Sequence, residues 1–179
     1  MSATLPPLPS ARSLAAALQR RELSCRELMQ TCLARIERLN PQVNALVSLQ
    51  APEEMLRQAH ACDAQLARGD AVGRLHGFPM APKDFVATAG LPTTMGSPVF
   101  AKQVTPHDAI MVERLRRAGA LFVGRSNTPE FGLGSHTYNT VFGTTRNAWN
   151  LDHAAGGSRG GAAGGLALHM LPGADGGRM

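Results

Sequence analysis

Lysine is rare in this sequence, and one lysine stands where it could act as a chemical base. Of the 18 residues that are Lys or Arg, only Lys83 and Lys102 are lysines. Lys83 belongs to the segment 75–85 (LHGFPMAPKDF), which we interpret as an apolar strand that ends in Lys83-Asp84. Burial lowers the pKa of a lysine and makes the neutral amine available, whereas arginine stays protonated. Lys83 is therefore a candidate base, and the competing interpretation is a surface ion pair with Asp84 or another carboxylate.

A glycine-rich segment that leads into a predicted helix is the second feature of interest, and it contains Ser158. In the range 156–177, nine of 22 residues are glycine, and the helix should begin near Gly160. Gly164 and Gly165 would each cost that helix about 1 kcal/mol relative to alanine. Taken alone, the segment is typical of a flexible loop. It also lacks the GK[ST] sequence that a P-loop would need to hold a phosphate.

Predicted helices and strands alternate around these two segments, which is typical of the α/β class. Ser10 opens a first helical pattern, and Ser24 with Glu27 forms a capping box that opens a second. We expect the second helix to end at Asn40-Pro41, because a proline disfavours helix in the residue before it. The further predicted elements are a strand at 43–49, a helix at 51–69, a helix at 109–120 capped by Asp108, a strand at 121–127, and short helices and loops at 128–155.

The composition argues against several classes of function. The net charge of +5 comes almost entirely from arginines spread over predicted helix faces, which indicates solvated helix surfaces and no nucleic-acid partner. Three cysteines without a CxxC pair and six histidines without HExxH spacing predict no metal site. No apolar stretch reaches the ~20 residues that span a membrane, and the N-terminus lacks a signal-peptide pattern. We therefore expect a cytoplasmic location and no membrane partner.

Five segments together resemble the amidase signature family in order, spacing and flanking residues, over residues 10–179. The resemblance implies an α/β/α mixed-sheet fold with N-terminal helices, hydrolysis of an amide C–N bond through an acyl-enzyme, a small amide substrate and no cofactor. It also divides the chain into an N-terminal helical segment, residues 1–70, and a partial amidase-signature α/β core, residues 71–179, as one incomplete domain. The five segments are 77–85 (GFPMAPKDF), 90–97 (GLPTTMGS), 124–132 (GRSNTPEFG), 142–150 (FGTTRNAWN) and 155–165 (AGGSRGGAAGG).

The resemblance also implies a Ser–cis-Ser–Lys triad. Lys83 matches the family lysine and Ser158 the bridging serine, preceded by a cis peptide bond from Gly157, with Gly156 and Gly157 forming the loop on the substrate side. The nucleophilic serine is expected 24 residues after Ser158, at 158 + 24 = 182, beyond residue 179 at which the sequence ends. We therefore expect the 179-residue chain to lack amidase activity.

Several residues depart from the family pattern. Arg159 stands where the family has a second serine, and Arg178 stands where it has an aspartate. Two alternatives remain beside the amide hydrolase: a non-catalytic remnant or subunit that keeps half of the scaffold, and a fragment of a tRNA-dependent amidotransferase subunit. In the family fold the sheet has further strands that these 179 residues do not contain, so some strands would have an unpaired edge. We therefore expect a homo-oligomer or aggregation through an exposed sheet edge.

Overall fold

The computed structural model describes residues 6–176, in which five α-helices and six short β-strands alternate along the chain. The helices are α1 (Ala11–Gln19), α2 (Cys25–Val43), α3 (Pro52–Arg68), α4 (Ile110–Arg117) and α5 (Gly160–Ala167). The strands are β1 (Leu46–Val47), β2 (Pro79–Met80), β3 (Leu121–Phe122), β4 (Arg125–Ser126), β5 (Tyr138–Asn139) and β6 (Gly143–Thr144).

The described strands form three two-stranded sheets, one parallel and two antiparallel, and together with the helices they confirm the predicted α/β class. β2 runs parallel to β3, β1 runs antiparallel to β4, and β5 with β6 forms an antiparallel hairpin. A parallel bridge between Lys83 and Ser126 joins the chain after β2 to β4. The predicted strands form regular ladders over two residues only: 75–85 contains β2, 43–49 contains β1, and 121–127 is divided into β3 and β4. The prediction of short helices and loops at 128–155 missed the β5–β6 hairpin, which lies within that range.

The predicted starts of α1 and α2 are confirmed, and the predicted end of α2 is wrong. The Ser10 side chain caps α1, and Ser24 with Glu27 forms the capping box of α2. However, α2 passes through Pro41 and ends at Val43. Pro41 removes one N–H donor from the helix, but the last turn is still closed by the Asn44 N–H, which donates to the Asn40 carbonyl at 2.7 Å. The predicted strand at 43–49 is accordingly reduced to β1.

The predicted cap of α4 is also wrong. Ala109, not Asp108, occupies the N-cap position, and its side chain makes no capping bond. The Asp108 carboxylate instead accepts a hydrogen bond from the Ala89 N–H at 2.7 Å and pairs with Arg116 Nε at 2.7 Å. Those two partners leave the carboxylate tied to the preceding loop and to the far end of the helix.

An apolar cluster joins the first helices to the residues that follow α5. It contains side chains of α1, α2 and α3 together with Phe78, Val123, Met170 and Leu171. A second cluster packs α4 against β2 and β3. The division at residue 70 therefore remains a prediction, because the larger cluster has members on both sides of it.

The three cysteines are free and buried. Cys25 and Cys32 lie on the buried face of α2, as the sequence predicts for small apolar residues. None of the described helices is both long and apolar enough to cross a membrane.

Candidate active site

Lys83 is buried in the interior, with only 2% of its surface exposed. It follows β2 and forms the bridge to Ser126, and the next N–H, that of Asp84, donates to the Ser126 carbonyl at 3.0 Å. The Nζ atom lies 5.6 Å from the centre of the Phe85 ring. Burial lowers the pKa of Lys83, and the positive charge of Arg159 lowers it further, whereas the charge of Asp175 acts to raise it.

Asp84 has partners of its own, so the surface ion-pair interpretation of Lys83 does not describe this site. The Asp84 carboxylate accepts hydrogen bonds from the Thr94 N–H at 2.9 Å and from the Thr94 hydroxyl. It also lies 3.6 Å from the Arg125 guanidinium, and both of these side chains are fully buried. Arg125 in turn donates to the Lys83 carbonyl at 2.9 Å. This network holds the Lys83 carbonyl and the side chain of the residue that follows it.

The loop that carries Ser158 is held by one threonine. The Thr137 hydroxyl donates to the Gly157 carbonyl at 2.7 Å and accepts from the Gly160 N–H at 2.9 Å. Thr137 is fully buried, and the Gly157 N–H donates to the Ser135 carbonyl at 2.7 Å. These hydrogen bonds lie on both sides of Ser158 in the chain, and they hold its loop against residues 135–137, just before β5.

Helix α5 approaches the chain beside Lys83 very closely. A Cβ atom on Gly161 would lie 2.3 Å from the Asn127 nitrogen and 2.6 Å from the Ala45 oxygen. Only a glycine permits this contact between backbones. Because Asn127 directly follows Ser126, the bridge partner of Lys83, the segment 125–127 lies between the Lys83 backbone and the start of α5.

The cis peptide bond implied by the family resemblance is not found. The bond between Gly157 and Ser158 is trans, as are all peptide bonds among residues 6–176. A non-proline cis bond costs about 2.5–4 kcal/mol and persists only where its surroundings enforce it. Ser158 is half-buried, and the hydrogen bonds of its loop are made with a trans bond.

Arg159 and Asp175 form an ion pair at the start of α5. Arg159 Nη1 contacts Asp175 Oδ2 and lies 3.3 Å from the Asp175 carbonyl oxygen. The Asp175 side chain is 2% exposed and that of Arg159 is 26% exposed. Arg178, the other departure from the family pattern, lies outside the described residues.

A surface cleft of about 440 Å³ lies beside the loop that carries Ser158. Its wall includes Ser135 and His136, which pair with Gly157 and Gly156, and the half-exposed ring of Phe131. A second cleft, of about 360 Å³, is lined by Cys62, His76 and Arg116 and contains none of the predicted site residues. The first cleft is likewise not lined by Lys83, Ser158, Gly156 or Gly157, but it borders the serine loop through Ser135 and His136. Among residues 6–176 no group of three His, Cys, Asp or Glu side chains could hold a metal ion.

No local pattern pointed to several of the residues that build the site. Thr137 bonds to Gly157, 20 residues away, and Asp175 pairs with Arg159, 16 residues away. Arg125 pairs with the Asp84 carboxylate, which follows a different strand. Such distances follow neither helical nor strand periodicity. Only the position of Arg159 beside Ser158 stood out, as a departure from the family pattern.

Comparison with known proteins shows the family of this chain. The family model for amidases matches residues 27–177. A glutamyl-tRNA(Gln) amidotransferase subunit from Methylococcus capsulatus is 45% identical over 163 residues, which are 91% of this chain and 33% of that protein. The chain thus spans about a third of the length of this curated relative.

Solved structures agree with the sequence comparison. A bacterial aryl acylamidase of the amidase signature family superposes with a TM-score of 0.83 at 33% identity, over 91% of this chain and 34% of that one. The peptide amidase of Stenotrophomonas maltophilia superposes with a TM-score of 0.82 at 30% identity, over 90% of this chain and 34% of that one. The matched region extends from the second helix to the end of the described chain, and on this evidence the protein belongs to the amidase family.

Proposed function

We propose that this chain forms part of an amide hydrolase in which Lys83 is the base and Ser158 relays the proton. The observation that carries the proposal is the burial of Lys83 at the end of β2, which lowers its pKa. A lysine that served only as a surface cation would be solvated and would not need this environment. In this proposal the partial amidase-signature core, residues 71–179, carries the site, and residues 1–70 are the N-terminal helical segment of the same incomplete domain.

The proposed reaction is acyl transfer through a serine. The neutral Lys83 amine takes the proton of Ser158, which in turn takes the proton of an attacking serine, placed by the family resemblance at position 182. Attack on the amide carbonyl gives an acyl-enzyme and releases ammonia or an amine, and water then frees the acid. Gly156 and Gly157 shape the loop beside the substrate, a small amide. The scheme needs no cofactor, and three free cysteines are consistent with a cytoplasmic location.

Amide hydrolysis tests the proposal directly. The 179-residue chain should not hydrolyse acetamide, propionamide or benzamide above background, because residues that act as a unit fail without the attacking group. A chain continued in frame through position 182 and the remaining length of its relatives should hydrolyse at least one amide. In that chain Lys83→Ala should abolish turnover, and Lys102→Arg, a change at an exposed lysine, should preserve it.

Two results would contradict the proposal. Turnover by the 179-residue chain that survives repurification and is abolished by Lys83→Ala would show that the nucleophile lies within these residues. A continued chain that folds but hydrolyses no amide would favour the non-catalytic alternative, a remnant or subunit that keeps the scaffold.

The second candidate function is a role within a tRNA-dependent amidotransferase. The observation in its favour is the 45% identity to a component of a glutamyl-tRNA(Gln) amidotransferase, against 30–33% for the two amidases of known structure. The same lysine and serine would then release ammonia for transfer, and the partners would be further subunits. Copurification of other subunits with the continued chain, together with amidation of glutamyl-tRNA by the complex, would favour this function over hydrolysis of free amides.

A further inference from the structure

Two of the three cysteines meet where the start of α2 packs on α3. The Cys25 N–H donates to the Asp63 carboxylate at 2.7 Å, and Asp63 directly follows Cys62 on α3. The Cys25 Sγ atom lies 4.0 Å from the His76 carbonyl oxygen, and the His76 ring nitrogen Nε2 lies 3.0 Å from the Cys62 carbonyl oxygen. Cys25 and Cys62 are therefore connected through two shared neighbours, Asp63 and His76.

The two thiol groups also act on each other, beside the backbone of Gly77. A Cβ atom on Gly77 would overlap the Cys25 sulfur, so this sulfur rests directly against the glycine. A hydrogen bond from the Cys25 thiol stabilises the Cys62 thiolate, and the Gly77 N–H adds to this effect. Together they lower the pKa of Cys62, although burial and the Asp63 carboxylate act in the opposite direction. The same hydrogen bond raises the pKa of Cys25, so Cys62 loses its proton first.

Cys62 also has the better access to solvent. It is 8% exposed and lines the second cleft, of about 360 Å³, whereas Cys25 and Cys32 are 0% exposed. Burial raises the pKa of Cys32 to about 12. A water molecule takes up about 30 Å³ of the liquid, so the cleft has room for a small oxidant. Oxidation of cysteine requires both thiolate character and access, and Cys62 combines the two.

We propose that Cys62 and Cys25 form a redox pair, in which a hydroperoxide enters the second cleft and oxidises the Cys62 sulfur, and Cys25 then closes a disulfide between α3 and α2. This inference does not depend on the proposed roles of Lys83 and Ser158. In the proposed cytoplasmic location such a disulfide would be transient and redox-sensing, because the surrounding thiols keep structural disulfides reduced.

Both steps of the proposed oxidation balance. The Cys62 thiolate attacks one peroxide oxygen, so an S–O bond forms, the O–O bond breaks, and the other oxygen leaves and takes up a proton. The Cys25 sulfur then attacks the resulting sulfenic acid, so an S–S bond forms, the S–O bond breaks, and the hydroxide leaves as water with the Cys25 proton. The two thiols lose two electrons, which reduce the hydroperoxide to water and an alcohol, or to two waters when it is hydrogen peroxide. A dithiol reverses the disulfide by exchange.

The positions of the arginines make the disulfide easy to map. Trypsin places each cysteine in a peptide of its own, Cys25 in 22–26, Cys32 in 27–35 and Cys62 in 58–68. The 179-residue chain is reduced, freed of reductant and treated with hydrogen peroxide, and its remaining thiols are blocked with N-ethylmaleimide before digestion. Mass spectrometry of the unreduced digest should show peptides 22–26 and 58–68 joined, with the thiol of 27–35 blocked. Dithiothreitol should restore all three thiols.

The same treatment in urea distinguishes the folded arrangement from chance pairing. Cys25 lies 32 − 25 = 7 residues from Cys32 and 62 − 25 = 37 residues from Cys62. Loop closure costs less entropy for the shorter loop, so the unfolded chain should join Cys25 mainly to Cys32. A change of partner between the unfolded and the folded chain would show that the fold selects Cys62.

Single variants assign the two roles. Cys25→Ser should leave a sulfenic acid on Cys62, which dimedone traps, because the resolving thiol is gone. Cys62→Ser should protect Cys25 from oxidation, because Cys25 is buried behind it. The control Cys32→Ala should form the disulfide as the parent does.

Four results would overturn the inference. They are a folded chain that forms no disulfide, one that joins Cys25 to Cys32 as the unfolded chain does, one in which Cys32 is oxidised as readily as Cys62, and a disulfide that links two chains on a non-reducing gel. The map of the parent chain gives this answer without any variant, so misfolding of a variant does not remove the test. Amide hydrolysis is not measured, so the result leaves the proposed function of Lys83 untouched.

Discussion

Two glycines of α5 provide a sharp test of how this helix is docked. Gly161 faces the backbone of Ala45 and Asn127, and Gly165 faces the side chains of Leu46 and Leu171. We consider an alanine at each position. In both variants the helix propensity of alanine should stabilise α5 by up to about 1 kcal/mol relative to glycine. The two variants therefore differ only in what the added methyl group meets.

The contact distances decide the sign of each change. At Gly161 the new carbon would lie 2.3 Å from the Asn127 nitrogen, whereas at Gly165 the nearest atoms are side-chain carbons at 3.6 Å. Carbon contacts are favourable near 3.5–4.0 Å, so Gly161→Ala must displace α5 by roughly 1 Å. Overpacking of this kind costs about 1–3 kcal/mol or more. We expect a net loss of stability of ~2 kcal/mol for Gly161→Ala, from an overpacking cost of ~3 kcal/mol less a helical gain of ~1 kcal/mol, and a gain of up to ~1 kcal/mol for Gly165→Ala.

Urea unfolding of both variants measures the difference. A change in midpoint at constant slope reports stability alone. In a thermal scan, Gly161→Ala should lower Tm by about 4–8 °C and Gly165→Ala should raise it by about 2–4 °C. If both variants shift the midpoint in the same direction and by a similar amount, α5 does not pack on segment 125–127 as described, and the geometry around Lys83 must be revised.

Three further predictions concern the base, the buried ion pair and the strand edges. In a continued, active chain, Lys83→Arg should be nearly as damaging as Lys83→Ala, because a guanidinium cannot release its proton; substantial activity in an amidase assay would make Lys83 a structural cation. Arg125→Met should lower the free energy of unfolding in urea by about 3–5 kcal/mol, because it leaves the Asp84 carboxylate buried without its ion-pair partner. The control Arg57→Met, at an exposed ion pair, should lower it by about 1 kcal/mol or less. Equal effects of the two variants would refute the buried ion pair. The 179-residue chain should elute as an oligomer or aggregate in size-exclusion chromatography; a monomer with slow hydrogen exchange through Gly156–Leu168 would contradict this expectation.

The sequence predicted well those features that depend on neighbouring residues. Helix caps at Ser10 and Ser24 follow from side chains that bond within three residues, so local chemistry was sufficient. The α/β class follows from the alternation of patterns. The burial of Lys83 fits its place at the end of an apolar segment, whereas its role as a base stays a prediction.

Features that depend on distant partners could not be predicted. Strand lengths depend on pairings such as that of Leu46 with Ser126, which local patterns do not reveal. Asp108 has the residue type of a helix cap, but the Ala89 N–H and Arg116 compete for its carboxylate. The hydrogen bonds of Thr137 to Gly157 and Gly160 could not be predicted for the same reason, since no local rule distinguishes Thr137 from other threonines.

The position of Thr137 connects the cleft to the serine loop. Its neighbours His136 and Tyr138 line the cleft, while its hydroxyl holds the backbone on both sides of Ser158. A molecule that displaces this cleft wall must stretch or break those hydrogen bonds. Occupancy of the cleft and order in the serine loop are thus linked thermodynamically, and the linkage is reciprocal. A loop made rigid in its present arrangement would select for molecules that fit the cleft without moving its wall.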